Sequence, residues 1–311
     1  MNTIDVMIPV WRPDQRLRWS VERLLDQTQS IRKITLICSE ESGWNGKEVK
    51  EWAGDLPGVQ VEMIKKKDYN HGGTRHSWTS RSDADLFLFL VQDAVPADQY
   101  LVERMAKCLQ DPRNAVVYAR HVPAFGCDKI ERYTRCFNYP SRSVRKTPDG
   151  RSGGIKDCFS SNVCAMYRRD WYERIGGFER QILLSEDSVF GAKALARGAA
   201  VVYCSQAKVL HAHRYGYGTL WKRYFDIGAV HRMYRNLFAE YSSEKEGIRL
   251  VKETAGYLWR EKAIALFPRL FLQSGVKFLA YQFGKHYDRL PEKFVECWSW
   301  DKEYWRRKKY E

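Results

Sequence analysis

The chain has 311 residues, 44% hydrophobic and 29% charged, enough to bury a large core as one big domain or two unequal ones. A formal net charge of +14 requires an anionic partner: a nucleotide, a nucleic acid or an acidic membrane surface. Eight cysteines lie scattered, with no CxxC pair and no metal-type spacing, which argues against a disulfide framework and for reduced thiols. Residues 1–5 lead straight into a strand, and no apolar run nears the ~18 residues of a spanning helix. The expectation is therefore a cytoplasmic protein without a signal peptide, in solution or peripheral on the membrane.

Residues 4–10 read as a short apolar strand closed by Pro9 and Pro13. Leu17, Val21, Leu24 and Leu25 give residues 14–29 helical spacing. A second buried strand over 34–38 ends on Ser39-Glu40-Glu41, residues 47–53 suit a short helix, and 59–64 alternate as a third strand. A loop with Asp68, Gly72-Gly73 and Arg75 then opens into a helix over 75–82. Residues 86–91 are uniformly apolar, a fourth strand buried on both faces, and the run stops on Gln92-Asp93 before Pro96. Strands alternating with helices at this period predict an α/β fold with a mainly parallel, Rossmann-like sheet flanked by helices.

A helix over 98–110 and a strand over 115–119 follow. Periodicity disappears between 125 and 157, and a stretch of that length is expected to act as an active-site lid. Residues 158–167 return to strand character, and a helix from 170 to 175 is broken by Gly176-Gly177. Ser185 is expected to cap a helix running to about 197, and 201–204 with 208–211 form a last strand pair. Beyond 213 come basic helices rich in Trp, Tyr and Phe, broken at Gly247 and Pro268, with Trp298, Trp300, Tyr304 and Trp305 in the tail. Such helices suit either a membrane interface or a homodimer contact. The expected organisation is a domain over 1–214, with a nucleotide-binding half to about 120 and a second half over about 121–214, followed by a helical region over 215–311.

Ligands of open α/β sheets bind outside the carboxyl ends of strands, so Asp93 is placed to hold a divalent cation against a phosphate. An ordinary turn-capping aspartate is the competing reading. Glu186-Asp187 at a helix start suits either dipole compensation or a general base. His211 and His213, at i and i+2, share one face of a strand end and are either ligands or structural histidines. Pro9, Val10 and Arg12 line the first turn. Arg75 offers a planar fork to phosphate oxygens, and Gly72-Gly73 permit close backbone approach, unless the loop is a plain surface turn. Trp171 and Phe178 suit an aromatic platform or the core.

Several stretches together resemble glycosyltransferase family 2, and within it the bacterial rhamnosyltransferases that use dTDP-L-rhamnose. The carriers are Ile8-Pro9-Val10-Trp11-Arg12-Pro13, Tyr69-Asn70-His71-Gly72-Gly73-Thr74-Arg75, Gln92-Asp93-Ala94, Ser185-Glu186-Asp187 and Val209-Leu210-His211-Ala212-His213, joined by residues 223–228 and 281–285. The resemblance implies a GT-A fold, inverting chemistry, and Mg²⁺ or Mn²⁺ held by Asp93 with His211 or His213. It implies a general base at Asp187, with Glu186 as fallback, and a nucleotide-sugar site drawn from Pro9, Val10, Arg12, Glu40, Asp68, Arg75, Gln92 and Asp93. Glu40 would accept the thymine N3–H. The superfamily usually carries Asp-x-Asp where this chain has Gln92-Asp93-Ala94, a form the rhamnosyltransferase branch tolerates. The implied reaction is transfer of L-rhamnose to a saccharide acceptor, plausibly lipid-linked, in cell-surface polysaccharide synthesis. Another donor such as a UDP-hexose is the rival within enzymes. A basic nucleic-acid-binding protein is the rival of another class, disfavoured by the absence of any helix-turn-helix or RNP-like pattern.

Overall fold

The computed structural model describes residues 2–123, 126–150, 152–212 and 215–308. Nine strands form one sheet in the order β3-β2-β1-β4-β8-β6-β9-β5, with β7 also paired to β9. In chain order the first half runs β1 (Ile4–Val10), α1 (Gln15–Leu25), β2 (Lys33–Glu40), α2 (Lys47–Ala53), β3 (Val59–Lys65), α3 (His71–Thr79) and β4 (Leu86–Leu90). These four strands are mutually parallel, as continuous apolar runs joined by helical crossovers require. Every residue of β4 is buried.

The second half continues with β5 (Val95–Pro96), α4 (Leu101–Cys108), β6 (Asn114–Val122), α5 (Lys129–Asn138), β7 (Val144–Lys146), β8 (Cys164–Arg168), α6 (Arg169–Ile175), α7 (Glu186–Ala196) and β9 (Ala200–Leu210). Here the sheet is mixed: β8 runs antiparallel to both β4 and β6, and β5 and β7 run antiparallel to β9. Side chains alternate across the sheet, so Ile4, Val6, Ile8 and Val10 of β1 pack with α1 and α4 residues, while Met7 joins the opposite layer.

Some sequence expectations are corrected. The stretch 125–157 holds α5 and β7 rather than an unstructured lid. Only Ile130 of α5 is fully buried, so its apolar pattern is too thin to read, yet Asp128 caps it and Tyr133 stacks on Tyr257 at 4.8 Å. The expected strand pair over 201–211 is the single strand β9. Its register against β6 jumps from Ala119↔Cys204 to Arg120↔Lys208, a bulge that takes up the polar Ser205-Gln206. Helix α3 begins at His71, so Gly72-Gly73 lie inside it. Ser185 precedes α7 in the left-handed region with φ 64° and makes no side-chain cap.

The carboxyl-terminal part comprises α8 (Tyr217–Met233), α9 (Arg235–Phe238), α10 (Glu244–Arg260), α11 (Phe267–Lys285), α12 (Glu292–Trp298) and α13 (Lys302–Lys308). Gly247 lies within α10, and Pro268 occupies the first turn of α11, where its missing N–H costs nothing. Helices α8 and α11 cross at two glycines: a Cβ on Gly228 would meet the Tyr281 carbonyl oxygen at 2.2 Å, and one on Gly284 the Phe225 carbonyl oxygen at 2.0 Å. Phe225, Ala229, Val295, Tyr304 and Trp305 belong to the same apolar cluster as Met7, Phe89 and Tyr167 of the sheet. The aromatic tail is thus largely core. Large apolar side chains are instead exposed on α11 and α12, at Phe271, Leu272, Phe278, Leu279 and Phe294. Among the described residues no helix is long and apolar enough to cross a membrane.

Candidate active site

The carboxyl rim of the sheet carries the titratable residues. Asp93 follows β4 in a tight turn closed by Ala94 N–H donating to the Val91 carbonyl, and its side chain is largely buried. One oxygen lies 3.5 Å from Arg16 Nη1, and the other 3.6 Å from Nε2 of His211, which follows β9. Burial holds the His211 pKa below the ordinary value despite the adjacent carboxylate. Arg135 Nη1 lies 3.0 Å from His211 Nδ1. A guanidinium can only donate, so Nδ1 accepts and the ring proton sits on Nε2, facing Asp93.

A carboxylate oxygen and an imidazole nitrogen suit Mg²⁺ or Mn²⁺, with further oxygens available from a diphosphate. Asp93 and His211 fit such an ion, but Nε2 can ligate only if its proton moves to Nδ1 and Arg135 lets go. Among the described residues no group of three or more His, Cys, Asp and Glu side chains is arranged to hold a metal. His213 lies outside the described residues.

Gln92 is occupied beside Asp93: its side chain accepts from Trp11 N–H at 2.7 Å and donates to the Trp11 carbonyl at 2.9 Å, fixing the turn after β1. In that turn Val10 is buried, Pro9 half-buried, and Arg12 adopts φ 44°. Arg12 meets Glu41 at 3.0 Å, and the same carboxylate accepts from Trp11 Nε1 at 2.9 Å and pairs with Lys66. These cations hold the Glu41 carboxyl below the usual range, Lys66 first among them. Glu41, which the sequence reading passed over, is therefore the hub of this turn; Glu40 closes β2 half-buried next to it. Asp68 is exposed in a short 3₁₀ turn before α3.

Arg75 does not present a fork to the Asp93 cluster. Its side chain is only 3% exposed and Nη1 lies 3.1 Å from Glu186 Oε1, itself 5% exposed. The glycines next to it serve chain packing rather than phosphate approach. A Cβ at Gly72 would meet the Glu179 carbonyl oxygen at 2.0 Å, and one at Gly73 the Arg180 carbonyl oxygen at 2.3 Å. Asn70 ties the same two strands of chain together, accepting from Gly72 and Gly73 N–H and donating to the Ile182 carbonyl.

The acids at the start of α7 differ in environment. Although burial pushes the other way, Arg75 and an Asn162 amide bond of 2.8 Å keep the Glu186 carboxyl low and ionised. Asp187 accepts backbone N–H bonds from Asn162 at 2.9 Å and Ser188 at 2.7 Å. Burial, and then the negative Glu186, raise it to about 7. Two neighbouring carboxyls pushed apart in proton affinity form an acid–base arrangement. Asn162 holds both, and nothing local in the sequence marks it. Arg223 on α8 stands over the Tyr215 ring, 5.9 Å from its centroid. Phe178 is core, within 5.7 Å of Phe89, Tyr167, Tyr172 and Phe190, and Trp171 donates to the Pro112 carbonyl.

Residues 2–225 match the model of the "Glycosyltransferase like family 2" family. The chain belongs to glycosyltransferase family 2. It is 33% identical over 310 residues to the O-antigen chain rhamnosyltransferase RfbN of Salmonella typhimurium, covering 99% of this chain and 97% of that one. To the O-antigen chain rhamnosyltransferase WbaN of Salmonella anatum it is 32% identical over 253 residues, 80% of each chain. The fold resembles the mannosyltransferase PcManGT of Pyrobaculum calidifontis, solved with GDP-Man and Mn²⁺, at TM-score 0.64 and 12% identity over 93% of this chain and 88% of that one. It also resembles residues 1–349 of S. aureus TarS, at TM-score 0.54 and 12% identity over 92% and 91% of the two chains. This glycosyltransferase therefore has the expected GT-A fold, and the nucleic-acid-binding alternative gives way to an enzyme.

Proposed function

We propose that this glycosyltransferase moves L-rhamnose from dTDP-L-rhamnose to a saccharide acceptor in cell-surface polysaccharide synthesis, with inversion and with a divalent metal. The observation that carries the mechanism is the buried Asp187 carboxyl, held by the Asn162 and Ser188 amides beside an arginine-paired Glu186. The relatives' printed names support rhamnose as the sugar and an O-antigen chain as the product.

The acceptor hydroxyl gives its proton to Asp187 as its oxygen bonds to the anomeric carbon from the face opposite the diphosphate, whose bond to that carbon breaks. Ionised Glu186 raises the proton affinity of Asp187, and the Asn162 and Ser188 amides hold the carboxylate in place. Arg16, Arg135 and Arg223 offset the charge growing on the leaving diphosphate. Asp93 and His211 would hold a Mg²⁺ or Mn²⁺, which would supply further charge neutralisation there. Arg12 and Glu40 serve the nucleotide end, with Pro9 and Val10 shaping the turn beneath it. The exposed apolar face of α11 and α12 rests on the cytoplasmic membrane surface, bringing the enzyme to a lipid-linked acceptor.

Purified enzyme assayed with dTDP-rhamnose and UDP-hexoses against lipid-linked acceptors, with and without Mn²⁺, tests this reading. Transfer from dTDP-rhamnose alone, with an inverted anomeric configuration by NMR, is expected. Preference for a UDP-hexose would replace the donor, and a retained configuration would remove Asp187 as base. Glu40→Ala should raise the donor KM more than it lowers kcat, because base contacts form in ground and transition states alike.

A further inference from the structure

A cavity of about 530 Å³ opens beside the edge strand β7, away from the Asp93 cluster. Tyr118, Tyr203, Phe159 and Phe137 are among its aromatic walls, and Lys146, Lys156 and Arg249 are its cations. That volume lies within the range of small-molecule sites. The Lys146 ammonium donates to the Tyr118 hydroxyl at 2.9 Å and the Phe159 carbonyl at 2.6 Å, and stands 4.7 Å over the Tyr118 ring. All these partners are neutral, and no carboxylate of the described residues pairs with it.

The acids lining the cavity are engaged elsewhere. Asp157 accepts from the Ser152 and Gly153 backbone amides, and Glu253 from the Tyr133 hydroxyl. Lys156 and Arg249 both meet Glu246. Lys146 is thus a half-buried ammonium whose hydrogen bonds among the described residues go to neutral groups, with Asp157 acting on it only through space, so an anion entering the cavity would gain a charge-assisted bond. Burial already lowers its pKa to about 7.

We propose that this cavity binds a saccharide bearing a phosphate or diphosphate, the anion held by Lys146 and the sugar's C–H faces packed on the aromatic walls. The chain between the lining residues Asp157 and Phe159 packs on α7, the helix that starts with Glu186-Asp187: a Cβ at Gly191 would meet the Cys158 carbonyl oxygen at 2.2 Å. The inference deepens the reading above, resting on its saccharide acceptor, and assigns that acceptor a second, anionic anchoring point.

The test is calorimetric binding to the full-length enzyme with the nucleotide site saturated by dTDP, so that it does not depend on transfer. The probes are octyl-capped glucosyl and galactosyl diphosphates, the uncapped sugar 1-phosphates, inorganic pyrophosphate and methyl galactoside. A glycosyl diphosphate should bind at least tenfold more tightly than either pyrophosphate or the methyl glycoside, and Lys146→Gln should lose that advantage. Equal affinity of capped and uncapped sugars assigns a free sugar phosphate, and a preference for the capped form a lipid-linked one. On the unaltered sequence, ¹³C-dimethylated lysine NMR should show the Lys146 signal move towards its charged form on binding. No shift with any probe, or unchanged affinity in a folded Lys146→Gln protein, would overturn the assignment. Absent transfer with intact binding would count against the rhamnosyltransferase reading instead.

Discussion

Arg75 and Glu186 face each other at 3.1 Å, each side chain almost wholly removed from water. The pair joins α3 to α7 across more than a hundred residues of chain, and both charges depend on it. Removing one partner strands the other, which typically costs about 3–5 kcal/mol, whereas replacing both with apolar groups is far milder. Arg75→Met is therefore expected to destabilise by that amount in urea unfolding, and Arg75→Met with Glu186→Leu to recover most of the loss. A single substitution costing under about 1 kcal/mol would place the pair in solvent.

As the proposed base, Asp187 should carry the pH dependence. Its folded pKa, about 7 against an ordinary 3.8, means that the base form is present above about 7 and lost as pH falls through it. The transfer rate at saturating substrates should follow that limb. Asp187→Asn should lower kcat by roughly 10²–10⁴-fold while dTDP binding stays near wild type. The stability sign runs opposite to that of an ordinary salt-bridged acid. The raised pKa penalises the folded wild type increasingly from pH 4 to about 7, so the asparagine variant should gain in melting temperature relative to wild type across that window. A flat rate profile, or a relative stability that falls with pH, contradicts the assignment.

The Asp93–His211 pair predicts a graded metal response. Asp93→Ala should abolish Mn²⁺-dependent dTDP binding, and His211→Ala should weaken it roughly 10–100-fold. Arg135→Gln has the opposite expectation. A glutamine oxygen can accept from Nδ1–H, which frees Nε2 to ligate, so Mn²⁺ affinity measured by EPR with dTDP present should rise several-fold. Unchanged Mn²⁺ affinity in all three proteins would move the metal elsewhere.

The apolar face of α11 and α12 replaces the aromatic tail as the proposed lipid contact. Tyr304 and Trp305 are core residues, so deleting 298–311 should unfold the protein locally rather than simply release it from lipid. Phe271→Ser with Phe278→Ser is expected to reduce flotation on anionic liposomes without lowering the melting temperature. Added salt should weaken flotation too, since each basic residue near such a surface contributes about 1 kcal/mol. Flotation absent at low salt, together with a stable dimer, would assign this face to a second copy.

What the sequence determined by itself was local. Continuous apolar runs such as Leu86–Leu90 can be stable only when buried on both faces, so the parallel half of the sheet and the place of Asp93 at a strand end followed from pattern alone. The adjacent Glu186 and Asp187 were visible as two acids at a helix start. Their division of labour was not: it depends on Arg75 and Asn162, brought up by strands and helices distant in the chain, and on a burial that desolvates one carboxyl while pairing the other. Arg16, Arg135 and Glu41 carry no motif and acquired roles only through long-range contact. Gly72 and Gly73 read as a phosphate turn because composition reports backbone freedom and not what approaches it, here the Glu179 and Arg180 carbonyls. The tail likewise had the composition of a membrane anchor, yet Tyr304 and Trp305 fill a space that α8 and the sheet leave open, and only tertiary packing decides which apolar side chains find such a space and which remain outside.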